Sequence, residues 1–160
     1  SQNAKFNAIL FADGLMTAGV GSVATRAESG SINYMKSTDN FVRYAARATP
    51  QEGALDVMGH GGPNIFQVNN ITVTGGEKLI NHRVLAKLIR QNPQFVGQDI
   101  RLLSCSTGEA EFAQNLANKL KTNVFAPNNI LWAHPSGRFS VGATSSVNTG
   151  KMIKFIPIKK

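Results

Sequence analysis

Between residues 54 and 120 the chain alternates short apolar runs with stretches of helical period, and that alternation narrows its folding options more than any other feature. "ALDVMGH" and "QDIRLLSC" are runs of strand length, each ending in small or polar residues. Between them, "LINHRVLAKLIRQ" sets Val84, Leu85, Leu88 and Ile89 on one face, with Asn81 placed to cap a helix and Pro93 to stop it. After the second run, "EAEFAQNLANKLKT" repeats the helical spacing through Phe112, Ala113, Leu116, Ala117 and Leu120. Its Glu109 and Glu111 fall in the first turn and Lys119 and Lys121 in the last, as the helix dipole favours. Strands that alternate with helices in this way predict an α/β fold: a mostly parallel central sheet flanked by helices.

The flanks add shorter elements. "FNAILFAD" reads as a buried first strand, and the stretch from there to about Ile32 has no firm period. "STDNFVRYAARATP" predicts a short helix capped by Thr38 or Asp39 and ended by Pro50. "NIFQVNNITVTGG" reads as a hairpin or irregular excursion turning at Asn69-Asn70. "NVFAP", "NILWAH", "GRFSVG" and "MIKFIPI" are additional short C-terminal strands. At 160 residues the chain is expected to form one domain over 1–160. With 42% hydrophobic and 16% charged residues, its composition is that of a folded globular protein and not a disordered one.

Seventeen Lys and Arg against nine Asp and Glu give a net charge of +8, which attracts nucleic acid, anionic surfaces or acidic proteins. The charge is scattered, without a run of five basic residues or the interleaved aromatics of a single-strand binding surface, so nucleic acid is the weaker expectation. No stretch has the unbroken apolar length of a spanning helix. The abrupt start "SQNAKF" suggests a piece of something larger. A single cysteine, Cys105, excludes an internal disulfide and leaves a thiol for chemistry.

If the two apolar runs are parallel neighbours, His60 and Cys105 leave the same carboxyl edge of the sheet, where open α/β sheets place their ligands. A cysteine between a strand end and a helix N-terminus is placed for thiolate formation, and a nearby imidazole can take its proton or protonate a leaving amine. Gly61, Gly62, Ser104 and Ser106 leave room for a substrate backbone and offer N–H groups for an oxyanion. The competing reading makes Cys105 a small core residue and His60 the punctuation of a turn. "GVGSVA" fits a loose dinucleotide fingerprint but stands too far beyond the first strand. His82 and His134 read as surface residues, and with one cysteine and no paired carboxylates no metal or other cofactor is expected.

A hydrophobic strand running into His-Gly, then a second running into Cys among small residues, resembles the caspase, legumain and gingipain group of cysteine peptidases. The matching stretches are "LDVMGHGG" and "IRLLSCSTG", with a crossover helix between them as in those enzymes. Within the group the sequence is most similar to the autoprocessing cysteine protease domains of bacterial toxins, which combine Gly-His-Gly, a strand ending in Cys-Ser, and a following Phe-Ala helix like "EFAQNL". "FAQNLANKLKTNVFAPNNILWAHPSGR" also looks like C-terminal toxin domains carried by Rhs and contact-dependent-inhibition proteins. The likeness covers about residues 54 to 138; residues 14 to 36 fall outside it, and it marks no specificity pocket.

The resemblance implies a caspase-like three-layer sandwich, His60 as general acid and base, Cys105 as nucleophile, and the Gly61 and Cys105 amides as oxyanion donors. It further implies a cysteine-dependent, peptidase-like hydrolase, secreted as part of a larger toxin. Its substrate would be a protein in the target-cell cytoplasm, and its natural partner a cognate immunity protein. Two other classes remain open: a basic nuclease toxin acting on tRNA or DNA through His60, His82 or His134 and a lysine, and a catalytically inactive caspase-like binding module.

Overall fold

A computed structural model describes residues 30–36, 39–69 and 77–158. The expected first strand "FNAILFAD", the "GVGSVA" stretch and Thr38 lie outside the described residues, as does the second half of the Asn69-Asn70 turn. The central sheet has five strands, β1 (Ser31–Asn33), β2 (Ala54–Met58), β6 (Asp99–Leu103), β7 (Val124–Pro127) and β10 (Met152–Phe155), in the order β1-β2-β6-β7-β10. The first four are mutually parallel and β10 closes the far edge antiparallel to β7. Three helices complete the described fold: α1 (Asn40–Ala45), α2 (His82–Gln91) and α3 (Phe112–Leu120). The fold is therefore α/β with a mostly parallel sheet.

All five residues of β2 are buried, as expected of a parallel strand covered on both faces. Along β2 and β6, Leu55, Val57, Ile100 and Leu102 face one core, together with Leu85, Ala86 and Ile89 of α2 and Phe112, Ala113, Leu116 and Ala117 of α3. Met58 and Leu103 face a second core with Phe41 and Val42 of α1 and residues of β8 (Leu131–Ala133) and β9 (Phe139–Val141). Those last two strands form a separate hairpin on the α1 side. Asp56 also stands on that side, and its carboxylate is held by Arg101 on β6 through Nε at 2.7 Å and Nη2 at 2.8 Å. A charge this deep needs such a partner.

The structure departs from the sequence reading in several places. Ser31–Asn33 is a strand where the sequence carries no firm period; its order comes from pairing with Asp56–Met58 and not from local periodicity. Leu79 and Ile80 belong to β5 (Glu77–Ile80), so α2 begins only at His82, with the Asn81 side chain accepting from the Val84 amide. Its buried face is Leu85, Ala86 and Ile89, while Val84 is 42% exposed. The face is rotated because α2 packs against both α3 and the edge formed by β4 (Ile65–Asn69) and β5. Helix α1 is capped by Asp39. Helix α3 starts at Phe112, leaving Glu109 in the preceding turn and Glu111 at the cap position without a side-chain cap bond. Lys119 does occupy its last turn, and Lys121 ends it in the left-handed conformation at φ 61°.

Candidate functional site

The parallel register is the starting point for the site. Met58 of β2 pairs with Leu103 of β6, so both strands end level at the same carboxyl edge, and the Gly59 amide donates to the Leu103 carbonyl at 3.3 Å just beyond. His60 does not terminate β2. It opens a new strand, β3 (His60–Gly62), which pairs antiparallel with β4, and β4 with β5, to make a small three-stranded sheet. Pro63 and Asn64 form the turn that joins β3 to β4.

The glycines explain how the chain passes from one sheet to the other. A Cβ on Gly59 would stand 2.3 Å from the Phe66 ring, whose side chain is fully buried in the helix-side core. A Cβ on Gly61 would stand 2.7 Å from Thr107 Cγ2, 2.9 Å from the Cys105 carbonyl oxygen and 3.0 Å from Ser104 Cβ. The backbone at Gly61 thus lies directly against the turn that carries Cys105, an approach that only a residue without a side chain permits. Side chains alternate along extended backbone. With Met58 on the α1 side and Gly59 turned to Phe66, His60 falls on the same side as Met58.

Cys105 reaches that side by the same alternation along β6, continuing the row Arg101 and Leu103. It belongs to the core cluster that holds Met35, Phe41, Met58, Leu131 and Ala133, at 5% residual exposure, and its Sγ lies 3.9 Å from the Leu131 carbonyl oxygen. His60 is half-buried, with its Nδ1 shielded from solvent.

The turn from Ser104 to Gly108 is tightly braced. The Ser104 and Thr107 hydroxyls are 2.9 Å apart and both residues are buried. Ser106 adopts a positive φ of 59°, and its amide donates to the Asn129 carbonyl at 3.0 Å. Gly108 donates to the Pro127 carbonyl at 2.8 Å. Ser104 therefore serves the turn with its hydroxyl, and the Ser106 amide is already engaged and has no N–H to offer an oxyanion. Helix α3 begins seven residues beyond Cys105, not immediately after it, so the thiol does not sit at the helix N-terminus expected from the sequence. Asn129, one of the braces of this turn, carried no signal in the sequence because its role is set by the chain beyond β7 arriving beside the Cys105 turn.

The other histidines have partners of their own. His82, at the start of α2, meets the Phe112 ring edge-on at 6.4 Å, and its pKa is lowered by burial, then by Arg83 and Lys119. His134 Nε2 lies 2.8 Å from Ser140 Oγ, its pKa lowered by burial and then by Arg138. Among the described residues there is no group of three or more His, Cys, Asp or Glu that could hold a metal ion, and no helix is long and apolar enough to cross a membrane.

The family described as Domain of unknown function (DUF8616) matches residues 30–141, which contain β1 through β9 and every candidate site residue. No curated protein and no solved structure matches the chain.

Proposed function

We propose that this chain, which belongs to the family of unknown function DUF8616, is a cysteine-dependent hydrolase of amide bonds with a caspase-like three-layer arrangement and a His60–Cys105 dyad. The observation that carries this reading is the pairing of β2 with β6 in level register, with Gly61 set against the Cys105 turn, so that both chemical residues stand on one side of one sheet edge. In the reaction, the Cys105 thiol passes its proton to His60, and sulfur attacks the substrate carbonyl carbon. The negative charge that develops on oxygen is met by the Gly61 and Cys105 amides, with Gly62 and the Ser104–Ser106 turn bounding the space for the substrate backbone. The imidazolium protonates the leaving amine as the C–N bond breaks, and water, deprotonated by His60, then cleaves the thioester.

The sequence likeness to C-terminal toxin domains supports deployment as the effector of a larger secreted toxin, with a protein substrate in the target-cell cytoplasm and an immunity protein in the producing cell. The test is Cys105→Ala in the full chain. Toxicity on expression and alkylation by iodoacetamide should both disappear while the melting temperature holds; toxicity that survives the substitution sinks the proposal. Nucleic-acid degradation that survives it would point instead to the nuclease reading.

The 5% exposure of Cys105 favours one rival, an inactive fold of the same layout used for binding. That reading requires the thiol to react no faster than a small-molecule thiol at the same pH, with or without His60.

A further inference from the structure

We propose that the outer edge of β10 is a docking site for an extended acidic segment of a partner protein, added as a further strand of the central sheet. The inference goes beyond the chemistry at Cys105 and does not rest on it. β10 ends the order β1-β2-β6-β7-β10, so among the described residues only β7 pairs with it. The Asn128 amide donates to the Lys151 carbonyl at 3.0 Å, which makes these two a hydrogen-bonded pair just before the antiparallel ladder. Bonded and non-bonded pairs alternate along such a ladder. Ile153 and Phe155 therefore bond to β7, while Met152 and Lys154, opposite Pro127 and Phe125, turn their N–H and C=O groups outward. Pro127 has no amide hydrogen to give, which suits its place in a non-bonded pair.

The side chains determine what the added strand should carry. Asp56, Arg101, Phe125 and Lys154 are paired in register across β2, β6, β7 and β10, so they form one row on the α1 face of the sheet. Asp56 and Arg101 neutralise each other, while the exposed Lys154 ammonium lies 5.9 Å from the centre of the Phe125 ring and ends the row in a cation. A strand beside β10 would set a side chain directly next to Lys154, and a carboxylate there completes the row. Lys151, also exposed, stands one residue before the strand. On the helix side the edge is apolar, with Ile153 and Phe155 half-buried. Beyond them the tail is bound to α3: the Gln114 side-chain amide donates to the Ile156 carbonyl at 2.9 Å, and the Ile158 amide donates to Asn118 Oδ1 at 2.8 Å. Its side chains stay uncovered, Ile156 at 61% and Ile158 at 57% exposure. The edge thus fits a segment that alternates acidic and apolar residues. A second copy of this chain fits poorly, since it would bring its own Lys151 and Lys154 and a net charge of +8 to the same edge.

The experiment titrates two synthetic peptides of about nine residues, one alternating Glu with Val and the other Lys with Val, into the full chain, with amide shifts and hydrogen exchange read at Met152 and Lys154. The Glu peptide should bind roughly ten-fold more tightly, slow exchange at both amides, and lose most of that advantage in about 0.5 M salt. Lys154→Glu, at an exposed position, should reverse the preference. Met152→Pro removes an outward N–H and no bond to β7, so it should weaken the Glu peptide roughly five-fold, the worth of one hydrogen bond. Cys105→Ala should bind as wild type does, so failure of the dyad leaves this proposal standing. Equal affinities for the two peptides, no binding of either up to about 1 mM, or protection away from Met152 and Lys154 overturns it. Self-association that Lys154→Glu or Met152→Pro abolishes, read by sedimentation, also overturns it and makes a second copy the occupant.

Discussion

Gly61 is the residue on which the geometry of the site turns. Its backbone approaches the Cys105 carbonyl and the Thr107 side chain so closely that a methyl group has no space, and one of the obstructing atoms is main chain, which cannot rotate away. Gly61→Ala should therefore destabilise the protein by roughly 1–3 kcal/mol, the usual cost of overpacking. It should also lower the rate of Cys105 alkylation by more than the loss of folded protein explains, because β3 must move and His60 moves with it. Equilibrium unfolding in urea and alkylation kinetics measured side by side separate the two effects. Gly62 is less constrained: among the described residues a Cβ there would meet only the Ile65 side chain, at 3.2 Å.

At the scale of elements, β2 and β6 are joined by more than their ladder. Asp56 and Arg101 are directly paired in register and form a two-point ion pair with side-chain exposures of 8% and 12%, and the Arg101 guanidinium lies 5.5 Å from the centre of the Phe139 ring. One end of the hairpin β8–β9 is thereby tied to the middle of the sheet. Removing one partner leaves a largely desolvated charge, so Asp56→Ala should cost about 3–5 kcal/mol. Replacing both, as Asp56→Leu with Arg101→Met, should recover most of that loss. A double-mutant cycle read by thermal unfolding tests this, and equal destabilisation by the single and double variants would refute it.

Taken whole, the molecule is a central sheet covered by α2 and α3 on one face and by α1 and the β8–β9 hairpin on the other, with the small sheet β3–β4–β5 attached beside the site. Phe66 makes that attachment. Its fully buried ring stacks with Phe112 of α3 at 6.2 Å, meets Tyr34 edge-on at 6.2 Å, and lies under Gly59. Phe66→Ala should destabilise the fold by about 3–5 kcal/mol, as large aromatic truncations do. The consequence should not stay local: loosening the small sheet loosens His60, and hydrogen exchange should quicken across residues 60–69 more than across β6. Uniform exchange over both regions would show that Phe66 serves general stability alone.

The sequence by itself determined the elements whose pattern is local. The apolar runs "ALDVM" and "DIRLL", the cap Asn81, a first helix capped at Thr38 or Asp39, the spacing of α3 from Phe112 to Leu120, and the short strands that finish the chain all follow from residue type and period, because burial of one face and satisfaction of helix ends are decided within a few residues. It also marked His60 and Cys105 as residues to watch. The tertiary structure alone decided the rest: that Ser31–Asn33 is a strand, that His60 begins β3, that the Ser106 amide is engaged by Asn129, and that Gln67 stands opposite His60. Each of these depends on which backbone comes to lie beside which. A pairing partner 7 to 25 residues away along the chain imposes no period on the residues it will meet.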